Sequence, residues 1–329
     1  MKTNSLLKIT SVFILHFMLL FQACSDVDTF TPYNDETTFQ FDRNQAISDF
    51  KDLKSTHTVF SFYAGYGHIH NFPDDSQIEF YPNSFTLNGN PIGNKLITIE
   101  IDFILNKKEM VENLVGTNSG NQILVSGGMV NVLAHCNGMP LELAPTSEYS
   151  LRIATKNQIP DEMEMFYGEE TETGINWIES DNDPNTQNNV NQSEWVRDSN
   201  SRFTIGMECF PKKLGWVNCD YFTKDNTQEK TNPCLIATTP PNGDSINLTA
   251  VCVFKNLNVM LNPCCTTDKD KICFGPLPIN EAVYYIIIGK GKQNYYLGYV
   301  EKTILKDDVV SINLEVKTLQ EIKDFLSTL

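Results

Sequence analysis

Seven cysteines crowd into the 65 residues from Cys209 to Cys273: Cys209, Cys219, Cys234, Cys252, Cys264, Cys265 and Cys273. Thiols at this density either pair as disulfides in an oxidising compartment or ligate a soft metal ion. A zinc site needs paired ligands at short spacing, such as C-x2-C. The intervals here are 10, 15, 18, 12, 1 and 8, and no histidine lies among them. Disulfides are therefore the expected chemistry. With Cys136 the set numbers eight, which allows 105 pairings, so spacing alone does not choose the partners. Cys136 has no cysteine near it in the chain and reads as a buried thiol.

The other residues suited to chemistry are His68 and His70, in YGHIHNF. On a strand they share one face, as two metal ligands would. A third ligand is required, and Asp74, Asp75 and Glu79 are the nearby carboxylates. The alternative, and the expected reading, is a pair of sheet-surface histidines. His135 and Cys136 are strand neighbours that point to opposite faces, which argues against a thiol–imidazole nucleophile. Asp181, Asp183 and Asn185 alternate like the start of a calcium loop, but Thr186 replaces the turn glycine and Gln192 the closing glutamate. The chain has no Gly-x-Ser-x-Gly elbow, phosphate loop or His-Glu-x-x-His helix. The expectation is a non-catalytic protein without a cofactor.

Where the thiols become oxidised is set by the first two dozen residues. Lys2 and Lys8 give a basic start, Ile9 to Phe21 is a mostly apolar run, and Ala23 precedes Cys24. The run is too short for a permanent membrane helix, which needs about 20 apolar residues, and it has the form of an export signal. The small residue before a cysteine points to a lipoprotein signal at residues 1–23, cut so that Cys24 carries lipid, including fatty acyl chains such as palmitate. Two or more acyl chains anchor a protein stably. Phe21 departs from the leucine usual three residues before such a cysteine. The acidic Ser-Asp-Val-Asp that follows resembles the stretch linked to surface export in Bacteroidota lipoproteins. The expected address is the outer membrane, through lipid on Cys24.

The full chain has 329 residues and a net charge of −16. Removing residues 1–23 leaves 329 − 23 = 306 residues, and 25 − 2 = 23 basic residues against 41 acidic ones, a net −18. A surface so acidic repels nucleic acid and anionic lipid, so no nucleic-acid partner is expected. The length suggests two domains.

These residues must be held by strands. LITIEIDFIL, residues 96–105, alternates Ile97, Ile99, Ile101, Phe103 and Leu105 with Thr98, Glu100 and Asp102, which describes a sheet with one face in a core. EYSLRIAT repeats the pattern, with Tyr149, Leu151 and Ile153 inward. Residues 24–54 read as a polar tether followed by one short amphipathic helix carrying Ile47, Phe50 and Leu53. A second short helix is expected after Asn106, with Glu109 three residues on. Residues 55–178 form a first β-sandwich module and 179–201, rich in Asn and Asp, a polar linker. INLTAVCVF, AVYYIIIGKG, NYYLGYVEKTIL and VVSINLEV place a second β domain at 202–329. It closes on an amphipathic helix, with Thr318 and Glu321 as a capping box and Leu319, Ile322, Phe325, Leu326 and Leu329 on one face. The fold class is all-β: two sandwich-like domains in tandem with short terminal helices.

Residues 78–111 and 117–155 carry a Pro-x-x-Phe strand, a Gly-x-x-Ile-Gly turn, a long alternating strand, a Gly-Gly-Met strand and a Gly-x-x-Leu-x-Leu hairpin. This order resembles a module of uncharacterised Bacteroidota lipoproteins over about residues 76–177. It is more distantly similar to the β-sandwich module of ankyrins and netrin receptors. Asn94 stands where a second turn glycine is usual, and LGWVNCDYF, residues 214–222, resembles a segment that follows the module in the same proteins. The resemblance implies an interaction role. Function is therefore expected to be binding, of a protein or a glycan partner. The alternatives are a carbohydrate-binding accessory of a polysaccharide uptake system and, behind it, a metal-dependent hydrolase. A sugar-binding face would draw on Trp177, Trp195, Trp216, Tyr284, Tyr285, Tyr295 and Tyr296, residues that also suit core packing. Asp244-Ser245-Ile246 resembles an acceptor for O-linked glycans in exported Bacteroidota proteins.

Overall fold

Ile97, Ile99, Ile101 and Phe103 of strand Leu96–Ile104 enter one core, while Thr98, Glu100 and Asp102 lie half-exposed on the other side. That is the period-two division the sequence predicts, and it recurs through the chain. The structure is a computed structural model that describes residues 37–54, 57–180, 190–196, 202–223, 228–239, 244–268 and 271–329. Its architecture is all-β, with three short α-helices among the described residues. The Cys24 lipid site, the export signal, and Asp181, Asp183 and Asn185 lie outside the described residues. No helix among the described residues is long and apolar enough to cross a membrane.

Four sheets carry the cores. The first runs, edge to edge, through Gly174–Glu179, Glu164–Thr171, Gly215–Phe222, Gln122–Cys136, Leu96–Ile104 and His57–Tyr63. The second contains Val190–Val196, Phe203–Cys209, Tyr149–Ala154, Gln77–Phe80 and His68–Asn71. Ile99, Val130 and Val217 of the first meet Ile78, Tyr149 and Leu151 of the second in one interior. The third contains Thr38–Gln40, Ser245–Phe254, Ala282–Lys290, Tyr295–Thr303 and Glu315–Lys317. The fourth contains Cys265–Asp268, Lys271–Cys273, Cys234–Thr238 and Val309–Asn313. Leu248, Cys252 and Tyr285 of the third pack on Leu235, Ile272 and Ile312 of the fourth.

A third core joins the two halves. Strand Ser245–Phe254 sends Val251 and Val253 away from Cys252 and Phe254, so both faces of the third sheet are buried. The second face meets Ile104, Phe166 and Trp177 of the first sheet, with the helices between. Helix Arg43–Asp49 contributes Ala46, followed by Phe50 and Leu53. Helix Lys107–Asn113 contributes Met110 and Val111; its N-cap Asn106 accepts from the Glu109 N–H at 3.1 Å. Helix Leu319–Leu326 carries the expected capping box and buries Ile322 and Leu326, while Phe325 stacks on Tyr299 at 4.1 Å. Lys107 ties the halves further, its Nζ donating to the carbonyls of Phe254 and Lys255 at 3.2 and 2.9 Å. Residues 37–329 make one compact unit.

Two boundaries therefore differ from the sequence reading. Residues 179–201 are not a linker throughout, because Val190–Val196 is an edge strand paired along its length with Phe203–Cys209. Its Val190 and Trp195 are buried, and the Trp195 indole donates to the Asp75 carbonyl at 3.0 Å. Strands Phe203–Cys209 and Gly215–Phe222, assigned to the second domain by sequence, complete the sheets of the first. The polar tether changes as well. Thr38–Gln40 pairs in parallel with Ser245–Phe254, about 200 residues on, as Phe39↔Ile246. Thr38–Gln40 and Gly215–Phe222 gain their strand partners from distant chain, which local alternation does not record, whereas Val190–Val196 pairs with the next strand in sequence.

Candidate functional site

The site with the most chemistry lies beside strand Ser245–Phe254, where segment 262–265 passes between two clefts. The larger, of about 300 Å³, is walled by apolar Phe41, Leu114, Leu248, Ala250 and Ile272. A smaller one, of about 160 Å³, shares Thr173, Asn262, Pro263 and Cys264 with it. The N-terminal pairing of Thr38–Gln40 brings Phe41 and Arg43 to the larger cleft. Arg43 is its cation. The Arg43 Nε is buried and has no hydrogen-bond partner. Burial lowers the pKa of this guanidinium, opposed by the negative field of Glu170. Glu172 also lines the cleft.

Four cysteines gather at the same place. Cys234 and Cys273, opposed on adjacent strands, form a disulfide. Cys265 opposes Cys273 from the other side, in strand Cys265–Asp268. Cys264 lines both clefts, and its N–H donates to the Cys273 carbonyl at 3.0 Å. Cys264 and Cys265 are exposed thiols. Although the residue is exposed, partial desolvation of its sulfur at the cleft wall, with a hydrogen bond to Cys265, pushes the Cys264 thiol up to about 12.

The remaining cysteines are interior. Cys209 and Cys219 come from facing sheets, both buried, with their sulfurs 3.5 Å apart. Their mutual hydrogen bond and burial push the Cys219 thiol up. Cys252 is a buried thiol between the third and fourth sheets, its pKa raised by burial. The disulfide candidacy drawn from seven crowded cysteines does not extend to Cys252, a free thiol that strand alternation sends into an apolar core where, among the described residues, no other cysteine lies. Cys136 is buried, as its isolation suggests.

His68 and His70 share a face, as expected, but that face looks inward. They oppose Phe80 and Ile78 on strand Gln77–Phe80, whereas Glu79 opposes Ile69 and points to the other side of the sheet. The His70 ring stacks on Phe60 at 4.2 Å and His68 on Phe62 at 5.0 Å. Burial lowers both imidazole pKa values, and His68 lowers His70 further. The expected third ligands are engaged elsewhere. Glu79 sits 3.2 Å from Arg152, and Asp74 accepts from the Ser76 hydroxyl at 2.7 Å. Among the described residues no three His, Cys, Asp or Glu side chains group as metal ligands. His135 and Cys136 face apart: His135 lies 3.5 Å from Glu100 while Cys136 enters the core.

The aromatic residues do not form an open platform. Trp177, Tyr285 and Tyr296 are fully buried and Trp195 nearly so. Trp216 meets Trp177 edge-on, Tyr284 carries Lys255, and Tyr295 carries Lys290 at 3.6 Å. Asp244 accepts from the Tyr296 hydroxyl at 2.9 Å, beside exposed Ser245.

Sequence reasoning missed Arg43, which stands in a polar stretch with nothing to mark it, and missed the convergence of Cys234, Cys264, Cys265 and Cys273. The adjacent pair at 264 and 265 was the one available signal. No protein-family model matches the chain, and no curated protein matches it.

Proposed function

We propose that this chain is a lipid-anchored, non-catalytic protein of the cell envelope that works as a binding module, with the cleft beside Arg43 as its ligand site. One observation supports the binding reading: a cleft of about 300 Å³ with mostly apolar walls holds a guanidinium whose Nε is buried without a partner. An unpaired buried donor costs about 1–3 kcal/mol, more when charged. A ligand with an apolar body and an anionic acceptor recovers that cost. Support for the anchor is the order of basic start, apolar run, Ala23 and Cys24. The likeness of residues 76–177 to a lipoprotein module agrees with the same address.

Calorimetric titration with 2-naphthoate, against its neutral methyl ester, tests the site. Naphthoate is expected to bind one to one, with the ester much weaker. Arg43→Gln is expected to weaken naphthoate about tenfold to a hundredfold, the worth of one charge-assisted hydrogen bond. Equal binding of both compounds, or no effect of the substitution, removes the cleft from the reading. Mass spectrometry of the native N-terminus tests the anchor, which fails if Cys24 carries no acyl group. A carbohydrate-binding accessory is the second reading. It requires an exposed aromatic face, and the interior positions of Trp177, Tyr285 and Tyr296 weigh against it.

A further inference from the structure

Cys273 lies between two cysteines. On one side strand Cys234–Thr238 places Cys234 directly opposite, and the two are bonded. On the other side strand Cys265–Asp268 places Cys265 directly opposite. Directly opposed residues of an antiparallel pair point to the same face, with Cβ atoms about 4.5–5.5 Å apart. A disulfide needs roughly 3.5–4.5 Å. Either neighbour therefore reaches Cys273 with a small approach of one strand to the other. Cys265 is exposed and reduced. Cys264 stands beside it, its Sγ donating to the Cys273 carbonyl at 3.5 Å.

We propose that Cys234, Cys265 and Cys273 form a thiol–disulfide exchange site in which Cys273 is the shared sulfur. The Cys265 thiol loses its proton, and its thiolate attacks Cys273 Sγ. The Cys265–Cys273 bond forms, the Cys234–Cys273 bond breaks, and Cys234 leaves as a thiolate that takes up a proton. One thiol and one disulfide stand on each side of the step, so no oxidant or reductant is consumed. The exchange moves the covalent link from strand Cys234–Thr238 to segment 262–265, which walls both clefts.

The test is disulfide mapping of the whole protein. It is held at pH 8 in a buffer of reduced and oxidised glutathione, quenched with acid, alkylated and digested. Two linked peptide pairs are expected, Cys234–Cys273 and Cys265–Cys273, in a ratio that is the same whatever the starting state. Cys265→Ser is expected to lose the second pair completely, and Cys264→Ser to keep both. Wild-type protein that yields only Cys234–Cys273, with Cys265 fully alkylated, overturns the proposal. So does a second pair that survives in Cys265→Ser, which would place the reactive thiol at Cys264.

Discussion

The two halves of the molecule use the same element differently. Between the first and second sheets, Cys209 and Cys219 face each other inside a closed core. At the fourth sheet, Cys264 and Cys265 stand exposed beside the Cys234–Cys273 disulfide. Burial suppresses the thiolate, which is the reactive form, so the inner pair is a candidate staple that does not turn over once made. The outer set meets solvent and has a third sulfur in register. The residue type is the same in the two places; side-chain direction and water access divide them.

The largest test asks whether the halves are separable at all. Trp177 is fully buried in the core they share, and its indole donates to the Gly116 carbonyl at 2.7 Å. Trp177→Ala is expected to cost about 3–5 kcal/mol and to lower one cooperative urea transition. Two transitions, only one of them shifted, would show that the halves fold independently.

Next comes the outer disulfide, which spans a sequence separation of 39. Chain-entropy arguments put its loss at about 4 kcal/mol, so Cys273→Ser is expected to lower the urea midpoint strongly. Cys234→Ser is expected to do less after oxidation, because Cys265 can take its place. Equal losses in the two variants would erase the difference drawn between the outer and inner cysteines.

Oxidation of the inner pair acts the other way. Joining Cys209 to Cys219 closes a separation of 10 and is expected to add about 2–3 kcal/mol. Denaturation before and after treatment with a thiol oxidant reads this directly in a Cys234→Ser/Cys264→Ser/Cys265→Ser/Cys273→Ser background. No gain would mean that the two sheets resist the closer approach a bond requires.

The effect that is smallest per pH unit sits beside Cys219. Asp220 is buried on the opposite side of the strand, and burial raises its pKa to about 8 against hydrogen bonds from Ser126, Asn218 and the Gly127 N–H. In the unfolded chain the carboxyl titrates near 3.9. Between those values the native state holds a proton that the unfolded state has lost, so stability falls as pH rises, by up to about 1.4 kcal/mol per unit. Asp220→Asn is expected to flatten that slope between pH 5 and pH 8 in urea titrations. An unchanged slope would place the titration elsewhere.

Much of this was legible residue by residue. Ile97 to Phe103 alternate strictly because one side of their strand is core, and Thr318 with Glu321 announces a helix start because both contacts are local. Strand Val190–Val196 was hidden: as an edge strand it buries only Val190 and Trp195, at positions that break alternation. The inward turn of His68 and His70 was equally silent. Their shared face follows from spacing, while which side of the sheet it meets depends on Phe60 and Phe62 from another strand.

Local sequence thus determined the all-β class, the short helices and their caps, since periodicity and capping involve neighbours within a few residues. Tertiary structure decided which strands share a sheet, that Arg43 meets a cleft, and that Cys273 has a thiol on one side and a disulfide partner on the other. Those facts depend on register between segments far apart in the chain. Register is fixed by the burial of whole sheet faces, a property of the assembled cores rather than of any one stretch.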